Sequence, residues 1–161
     1  MSAALTARVL EVAAGEVGVK EVGINRGERV ELYQATVGIP PGSSWCAAFV
    51  FFCFEQAARD LGLVNPLPKT GGVHKMFRRS PEPYRIFHPL PGAVYFHDSG
   101  CGLGHAGIVE SVAGDHIVGI EGNTNEAGDR EGDGVARKVR RFAYINLGMI
   151  DFAKPIPDVA A

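Results

Sequence analysis

Cys46 is the residue whose type and setting best suit nucleophilic chemistry. It follows Ser43 and Ser44 and stands near the start of a long apolar run. Either serine can cap a first helical turn, and Gly62 stands where a C-terminal cap belongs, so the pattern predicts a helix over about 44–61. A thiol in its first turn faces unpaired N–H groups and the positive helix end, which favour the nucleophilic thiolate. Taken from this helix alone, a small core cysteine is the favoured interpretation.

His105 is the histidine best placed to serve as a base. Among the five histidines it is the one set between Gly104, Ala106 and Gly107, which leaves room for another group to approach its ring. The next strand ends in a polar tail over 121–125, which in a hairpin would lie near His105. A carboxylate or amide there would hold the imidazole in one tautomer, as a Cys–His pair requires. A solvated turn is the alternative interpretation of this tail.

The elements that must position these residues change type along the chain. Apolar residues at helical spacing predict helices in the first half, and short apolar segments split by turn residues predict strands in the second half. This order favours an α+β fold, with N-terminal helices packed on one face of a C-terminal antiparallel, meandering sheet. Besides the helix at Cys46, the predicted helices are 5–17, 28–37 and 72–79, and the predicted strands are 93–96, 105–112, 116–121, 134–142 and 148–152.

Composition narrows the class of protein. A chain of 161 residues, 46% hydrophobic and 21% charged, suits one globular domain over 1–161. The formal net charge of −2 gives no indication of nucleic-acid or polybasic membrane binding. No apolar stretch is long enough for a membrane span, and the N-terminus shows no secretory signal, so we expect cytoplasmic synthesis and a monomer. Cys46 and Cys53 lie about 10 Å apart on one helix, too far for a disulfide.

Metal and phosphate sites are weaker interpretations of the same sequence. Cys101 with His97 and His105 matches no common zinc spacing. The glycine-rich segment 100–104 leads into a strand, so it lacks the helix N-terminus that holds phosphate. The segment that begins at Asp129 starts like a calcium loop but departs from the pattern at its third and closing positions. We therefore predict no metal and no cofactor.

Several motifs in the correct order resemble the CHAP domain, the cysteine, histidine-dependent amidohydrolase/peptidase family related to NlpC/P60 and papain-like enzymes. The resemblance covers roughly residues 20–152. The sequence Trp-Cys-Ala-Ala is its strongest motif, and the Gly-His strand is the next. The motifs are Gly-Ile-Asn-Arg-Gly at 23–27, Trp-Cys-Ala-Ala-Phe-Val at 45–50, Gly-His-Ala-Gly-Ile-Val at 104–109 and Ile-Glu-Gly-Asn-Thr at 120–124.

The resemblance implies a papain-like fold and a set of site residues. Cys46 matches the nucleophile, His105 the general base and Glu121 the residue that orients the histidine. Asn123 matches a further active-site amide found in many members. We also expect Trp45 to line the cleft, because it immediately precedes Cys46, and Asn25 to contact substrate.

The resemblance also implies cleavage of an amide bond in peptidoglycan. The bond is either the one between N-acetylmuramate and L-alanine or one within the peptides. Some CHAP enzymes bind calcium shortly before the nucleophile, but segment 38–44 has no carboxylate here. A phage endolysin released through a holin, or an exported antibacterial effector, fits these features. The alternatives are a non-catalytic wall-binding or phage structural module, and a cysteine enzyme that acts on a protein.

The basic run 137–141 alternates along a predicted strand. We interpret it as a solvated face, with contact to the anionic cell wall as a weaker alternative.

Overall fold

A computed structural model describes residues 3–124 and 132–154 of the chain. Within these residues four α-helices come first and six strands follow, in the predicted order. Helix α2 has the predicted bounds, and the other elements differ by a few residues. The helices are α1 (Ala3–Glu16), α2 (Glu28–Val37), α3 (Cys46–Asp60) and α4 (Val73–Arg79); the strands are β1 (Arg85–Ile86), β2 (Val94–Gly100), β3 (Leu103–Ala113), β4 (His116–Thr124), β5 (Gly134–Arg141) and β6 (Gly148–Ile150).

The sheet is antiparallel and confirms the predicted meander. Strands β2 to β5 lie side by side in chain order, and β6 returns to pair with the free edge of β2. The two-residue strand β1, which the sequence pattern did not predict, pairs with β6 at the margin. This order places β3 and β4 next to each other near the middle of the sheet.

Helix α3 is the centre of the core. Every residue from Cys46 through Phe54 is buried, which is why the apolar run showed no clean helical periodicity. Helices α1 and α2 pack on one side of α3, and strands β3 and β4 pack on the other. The ring of Tyr33 in α2 contacts Phe49 and Phe52 with centroid distances of 5.4 and 4.9 Å. The α3 helix is therefore fixed on both sides, and its first turn is fixed with it.

The two ends of α3 differ in how they are capped. Gly62 adopts a left-handed φ of 66°, the N–H of Gly62 bonds to the carbonyl of Arg59 and the N–H of Leu63 bonds to that of Ala58. This is a Schellman arrangement and confirms the predicted role of Gly62. The predicted serine cap is wrong, because Trp45 holds the N-cap position with no side-chain cap bond. The Ser43 hydroxyl donates instead to the carbonyl of Pro40 at 2.7 Å.

The two faces of the sheet carry separate apolar clusters. The face toward the helices includes Phe96, Ile108 and Ile120, which join the main core. The opposite face carries a smaller buried cluster, covered in part by the segment after β5. Its buried members are Ala93, Tyr95, Val109, Ile117 and Met149. In the part of the chain that the structure describes, no helix is long and apolar enough to cross a membrane.

Candidate active site

Trp45 fixes the backbone directly before Cys46. Its ring is completely buried and stacks on Tyr33 at a centroid distance of 5.6 Å. The indole Nε1–H donates to Oε1 of Glu21 at 2.7 Å, which satisfies the one polar atom of the ring. A wholly buried ring cannot line a cleft, so the prediction for Trp45 is wrong. Its function is to hold the start of α3 against the loop that contains Glu21.

Asn25 connects the same loop to the segment that leads into α3. It adopts a left-handed φ of 53°, which asparagine tolerates better than most residues. Its side-chain amide donates to the carbonyl of Gly42 at 3.3 Å, and its backbone N–H donates to Glu21 at 3.0 Å. Gln34 donates to the carbonyls of Asn25 and Ser43, both at 2.8 Å. The structure thus gives Asn25 an anchoring function, and the substrate contact remains a prediction.

His105 and Glu121 meet across neighbouring strands β3 and β4. The distance from His105 Nε2 to Glu121 Oε2 is 2.9 Å, and both side chains are buried. An ionised carboxylate can only accept hydrogen bonds, so Nε2 must carry a proton. Nδ1 is then the basic nitrogen of the neutral ring. Within the described residues Nδ1 has no conventional hydrogen-bond partner, and the imidazole interacts with the Cys46 thiol.

Glu121 is held by more donors than the sequence predicted. The hydroxyl of Tyr95 donates to Oε1. Arg140 binds both carboxylate oxygens, through Nε to Oε1 and Nη2 to Oε2, each at 2.8 Å. Burial alone would raise the pKa of Glu121, but the hydrogen bonds and charges of Arg140 and His105 outweigh burial and lower it far below its ordinary value. Glu121 is therefore ionised at neutral pH and favours the imidazolium form of His105.

Arg140 departs from the solvated face predicted for the basic run, whereas Arg137 and Arg141 are exposed as predicted. The Arg140 side chain is only 12% exposed, and its guanidinium lies 4.2 Å from the ring centroid of Tyr144. The signal that could have located it is the period-two alternation of β5, because Ala136 pairs with Glu121 and Arg140 shares the face of Ala136. That inference needs the strand register, which the sequence pattern did not supply.

Cys46 is only 4% exposed, and its thiol interacts with the imidazole of His105. Burial would raise the pKa of the thiol. The interaction with His105 and the backbone N–H groups of Ala106 and Ala47 more than compensate for burial and lower the pKa. For His105, burial by itself would lower the pKa, but the interactions with Cys46 and Glu121 raise it to about 9. Both shifts favour a thiolate–imidazolium pair, which is the reactive form of a cysteine nucleophile.

This pair predicts a specific pH response. In a Cys101→Ser background, we expect the thiolate absorbance of Cys46 to appear at a lower pH than for an ordinary thiol, since its pKa is lowered. Cys53 stays silent because burial raises the pKa of its thiol. The imidazolium is lost as the pH rises through about 9, so the thiolate–imidazolium pair should disappear there. In His105→Ala, thiolate formation should move to higher pH; an unchanged titration would contradict the pairing.

Asn123 lies two residues beyond Glu121, at the end of β4. It has a left-handed φ of 54°, and its buried Oδ1 has no partner within the described residues. The hydroxyl of Thr124 is likewise buried and unpartnered there. The active-site function expected for Asn123 remains a prediction. Asn125, the last residue of the predicted polar tail, lies outside the described residues.

The glycines near His105 make room for protein groups. A Cβ at Gly107 would meet the Tyr95 hydroxyl and would lie 2.9 Å from Cγ of Glu121. A Cβ at Gly104 would lie 2.8 Å from the carbonyl oxygen of His97. The space beside these glycines, which the sequence indicated for an approaching group, is therefore filled by Tyr95, Glu121 and the backbone of His97.

Gly107→Ala tests this packing. We expect the substitution to lower the free energy of unfolding by about 1–3 kcal/mol, because the Tyr95 hydroxyl and Glu121 must shift to admit the methyl group. Urea denaturation would measure the change. Gly15→Ala is the control, because a Cβ there meets nothing within 4 Å and α1 favours alanine. Equal stability of the two variants would contradict close packing at Gly107.

The other two cysteines are not part of this arrangement. Cys101 is exposed in the turn between β2 and β3, and Cys53 is buried in α3. Over 3–124 and 132–154, no group of three or more His, Cys, Asp or Glu residues could hold a metal ion. Residues 129–131, which begin the calcium-like segment, lie outside the described residues.

Comparison with known proteins identifies a family whose profile includes these site residues. A CHAP domain profile matches residues 38–123, more than half of the chain, and includes Cys46, His105, Glu121 and Asn123. The chain belongs to the CHAP domain family. A search of curated proteins finds no match.

Two solved structures share the fold. The crystal structure of Ly7917 matches with a TM-score of 0.54 and 18% identity, over 90% of this chain and 59% of that chain. The crystal structure of Ly7917 with the hydrolyzing product of MDP matches with a TM-score of 0.50 and 16% identity, over 90% of this chain and 60% of that one. This chain therefore spans about three fifths of the length of Ly7917, and at this identity the match shows the α+β fold alone.

Proposed function

We propose that this CHAP domain is a cysteine hydrolase that cleaves an amide bond of peptidoglycan. The observation that carries the proposal is the buried Cys46–His105–Glu121 arrangement, in which the pKa shifts favour thiolate and imidazolium. The substrate class is supported by membership of the CHAP family and by the crystal structure of Ly7917 with the hydrolyzing product of MDP. MDP, muramyl dipeptide, is a fragment of peptidoglycan.

In the first half of the proposed reaction, the Cys46 thiolate attacks the amide carbonyl carbon. A carbon–sulfur bond forms and the carbonyl electrons move to oxygen. The backbone N–H of Cys46, at the start of α3, is one donor available to the oxyanion. The imidazolium of His105 then gives its Nδ1 proton to the leaving amine as the carbon–nitrogen bond breaks. The product is a thioester on Cys46 and a neutral His105.

In the second half, water hydrolyses the thioester. His105 Nδ1 takes a proton from the water as its oxygen bonds to the acyl carbon, and the carbon–sulfur bond then breaks. The released thiolate and the imidazolium restore the starting pair, and the acyl part leaves as a carboxylic acid. Throughout, Glu121 keeps Nε2 protonated and the ring in place. In this proposal Tyr95 and Arg140 are positioning residues, because they act through Glu121.

Two bonds are proposed as targets, the muramoyl–L-alanine amide and an amide within the peptide part of the wall. The first would make the protein an amidase and the second an endopeptidase. We further propose that the protein acts on the cell wall either as a phage endolysin or as an exported antibacterial effector.

Digestion of purified sacculi tests the proposal. Wild type and Cys46→Ala are incubated with sacculi of several wall chemotypes, and the soluble products are analysed by mass spectrometry. We expect fragments from wild type only. Free muramic lactyl ends would identify an amidase, and new peptide amines would identify an endopeptidase. Equal release by Cys46→Ala would refute the mechanism, and no release from any chemotype would refute the substrate class.

A further inference from the structure

A groove of about 400 Å³ lies beside the segments that lead into Cys46 and His105. One wall includes Ile39, in the segment before α3, and another includes Gly102, in the turn before β3. Helix α4 and the residues before it form the rest. The lining residues used below are Ile39, Gly71, His74, Lys75, Arg78 and Gly102.

Close packing joins this groove to the catalytic strand. A Cβ at Gly104, the residue before His105, would lie 2.9 Å from Val73 Cγ1 and 3.2 Å from His74 Cε1. On the opposite side, a Cβ at Gly71 would lie 2.9 Å from Cδ1 of Ile39. The start of α4 therefore packs against the residue before His105, and the segment before α4 packs against Ile39, which precedes Cys46 in the chain. A ligand in the groove would therefore lie beside the start of β3, the strand that carries His105.

The charges lining the groove are positive. Lys75 and Arg78 are exposed, and within the described residues no carboxylate lies within ion-pair distance of either. His74 is different, since its Nε2 lies 3.2 Å from Oδ1 of Asp98. The backbone N–H of Gly100 donates to Asp98, and this hydrogen bond together with His74 lowers the pKa of the Asp98 carboxyl. Asp98 is therefore ionised and pairs with His74. Among the residues that the structure describes, no carboxylate thus pairs with Lys75 or Arg78.

We propose that this groove binds a free carboxylate on the peptide part of the substrate, with Lys75 and Arg78 as its partners. The proposal rests on the proposed function, because peptidoglycan peptides carry free carboxylates that some organisms amidate. A guanidinium can bind a carboxylate with two parallel hydrogen bonds, and an ammonium adds charge without fixed direction. Ile39 supplies an apolar surface for the neighbouring methyl and methylene groups. The groove would thus select acidic wall peptides over amidated ones.

Binding of two synthetic peptides to the Cys46→Ala protein tests the proposal. The probes are the stem peptide L-Ala-γ-D-Glu-L-Lys-D-Ala with free carboxylates and the same peptide with its carboxylates amidated. Calorimetry at low and high salt gives both dissociation constants. We expect the free acid to bind more tightly than the amide, and Arg78→Gln or Lys75→Gln to weaken binding of the free acid about 3- to 5-fold, as for exposed ion pairs. High salt should reduce the preference.

Arg79→Gln is the matched control, because it removes the same charge from the same helix at a residue that does not line the groove. Its dissociation constants should equal those of the parent. Equal affinity for the two peptides, no binding of the free acid, or equal losses in Arg78→Gln and Arg79→Gln would each overturn the proposal. If wild type digests sacculi but Arg78→Gln keeps the full preference, the groove assignment alone fails. If the preference is present but sacculi are never digested, the proposed function alone fails.

Discussion

Cys46→Ser is expected to lower the rate of wall hydrolysis by about 10⁴-fold or more while leaving the fold intact. A serine hydroxyl nearly matches the thiol in shape, but its pKa is far too high for His105 to maintain an alkoxide. The variant therefore keeps the buried site and loses the nucleophile. Release of soluble fragments from sacculi measures the rate, and thermal unfolding verifies the fold.

The same variant has a signature that does not depend on turnover. Cys46 is one of the two groups that raise the pKa of His105 to about 9. Serine cannot supply a negative charge, so the imidazole pKa should fall, while Glu121 continues to hold Nε2. Titration of the His105 ring protons by nuclear magnetic resonance would follow the change. An unchanged pKa would show that Cys46 and His105 are not coupled.

Cys101→Ser is the matched control for this experiment. It makes the same chemical change at an exposed cysteine in the β2–β3 turn. Activity and the His105 titration should both be those of wild type. If Cys101→Ser lost as much activity as Cys46→Ser, the assignment of the nucleophile to Cys46 would be refuted.

Glu121→Gln and Arg140→Met are each expected to reduce the free energy of unfolding by about 3–5 kcal/mol. Either change removes one member of a close pair of charges that has little exposure to water, since Glu121 is buried and the Arg140 side chain is 12% exposed. The double variant should be less destabilised than the sum of the two single variants, because each single variant already loses the Glu121–Arg140 interaction. Urea denaturation of the four proteins gives the coupling energy. Additive losses would contradict a direct Glu121–Arg140 interaction.

Arg137→Met provides the comparison on the same strand. Arg137 also binds a carboxylate with two hydrogen bonds, to Glu110 at 2.8 and 2.9 Å, but its side chain is 47% exposed. A solvated pair of this kind contributes about 0–1 kcal/mol. The contrast between Arg137→Met and Arg140→Met isolates the effect of burial from the effect of geometry.

Acid should reproduce part of the Glu121 effect in wild type. The folded state lowers the pKa of Glu121, so the stabilisation from this group is complete above its unfolded pKa and is lost as the pH falls toward the folded value. In Glu121→Gln this contribution to acid sensitivity should be absent. Urea denaturation at neutral and acidic pH would compare the two. An equal loss of stability in both proteins would contradict the carboxylate assignment.

Local sequence signals were sufficient for the elements of the fold. The bounds of α2 follow from the helical spacing of its apolar residues. The left-handed conformation of Gly62 after α3 follows from the conformational freedom of glycine. Both signals lie within a few residues of the feature they predict. The order of helices before strands was enough to predict an α+β fold with the helices on one face. The same local logic was wrong at the other end of α3, where the buried Trp45 holds the N-cap position and Ser43 bonds elsewhere.

What the sequence determined by itself is the order and type of the elements, with a thiol at a helix start, a histidine on a strand and a polar tail after the next strand. The resemblance to the CHAP domain selected Glu121 from that tail. Only the tertiary structure placed Tyr95 and Arg140 on Glu121, because these residues come from three strands whose register no local pattern specifies. It also determined that Trp45 is a buried support. Periodicity and capping act between near neighbours, whereas burial and strand register depend on contacts between distant parts of the chain.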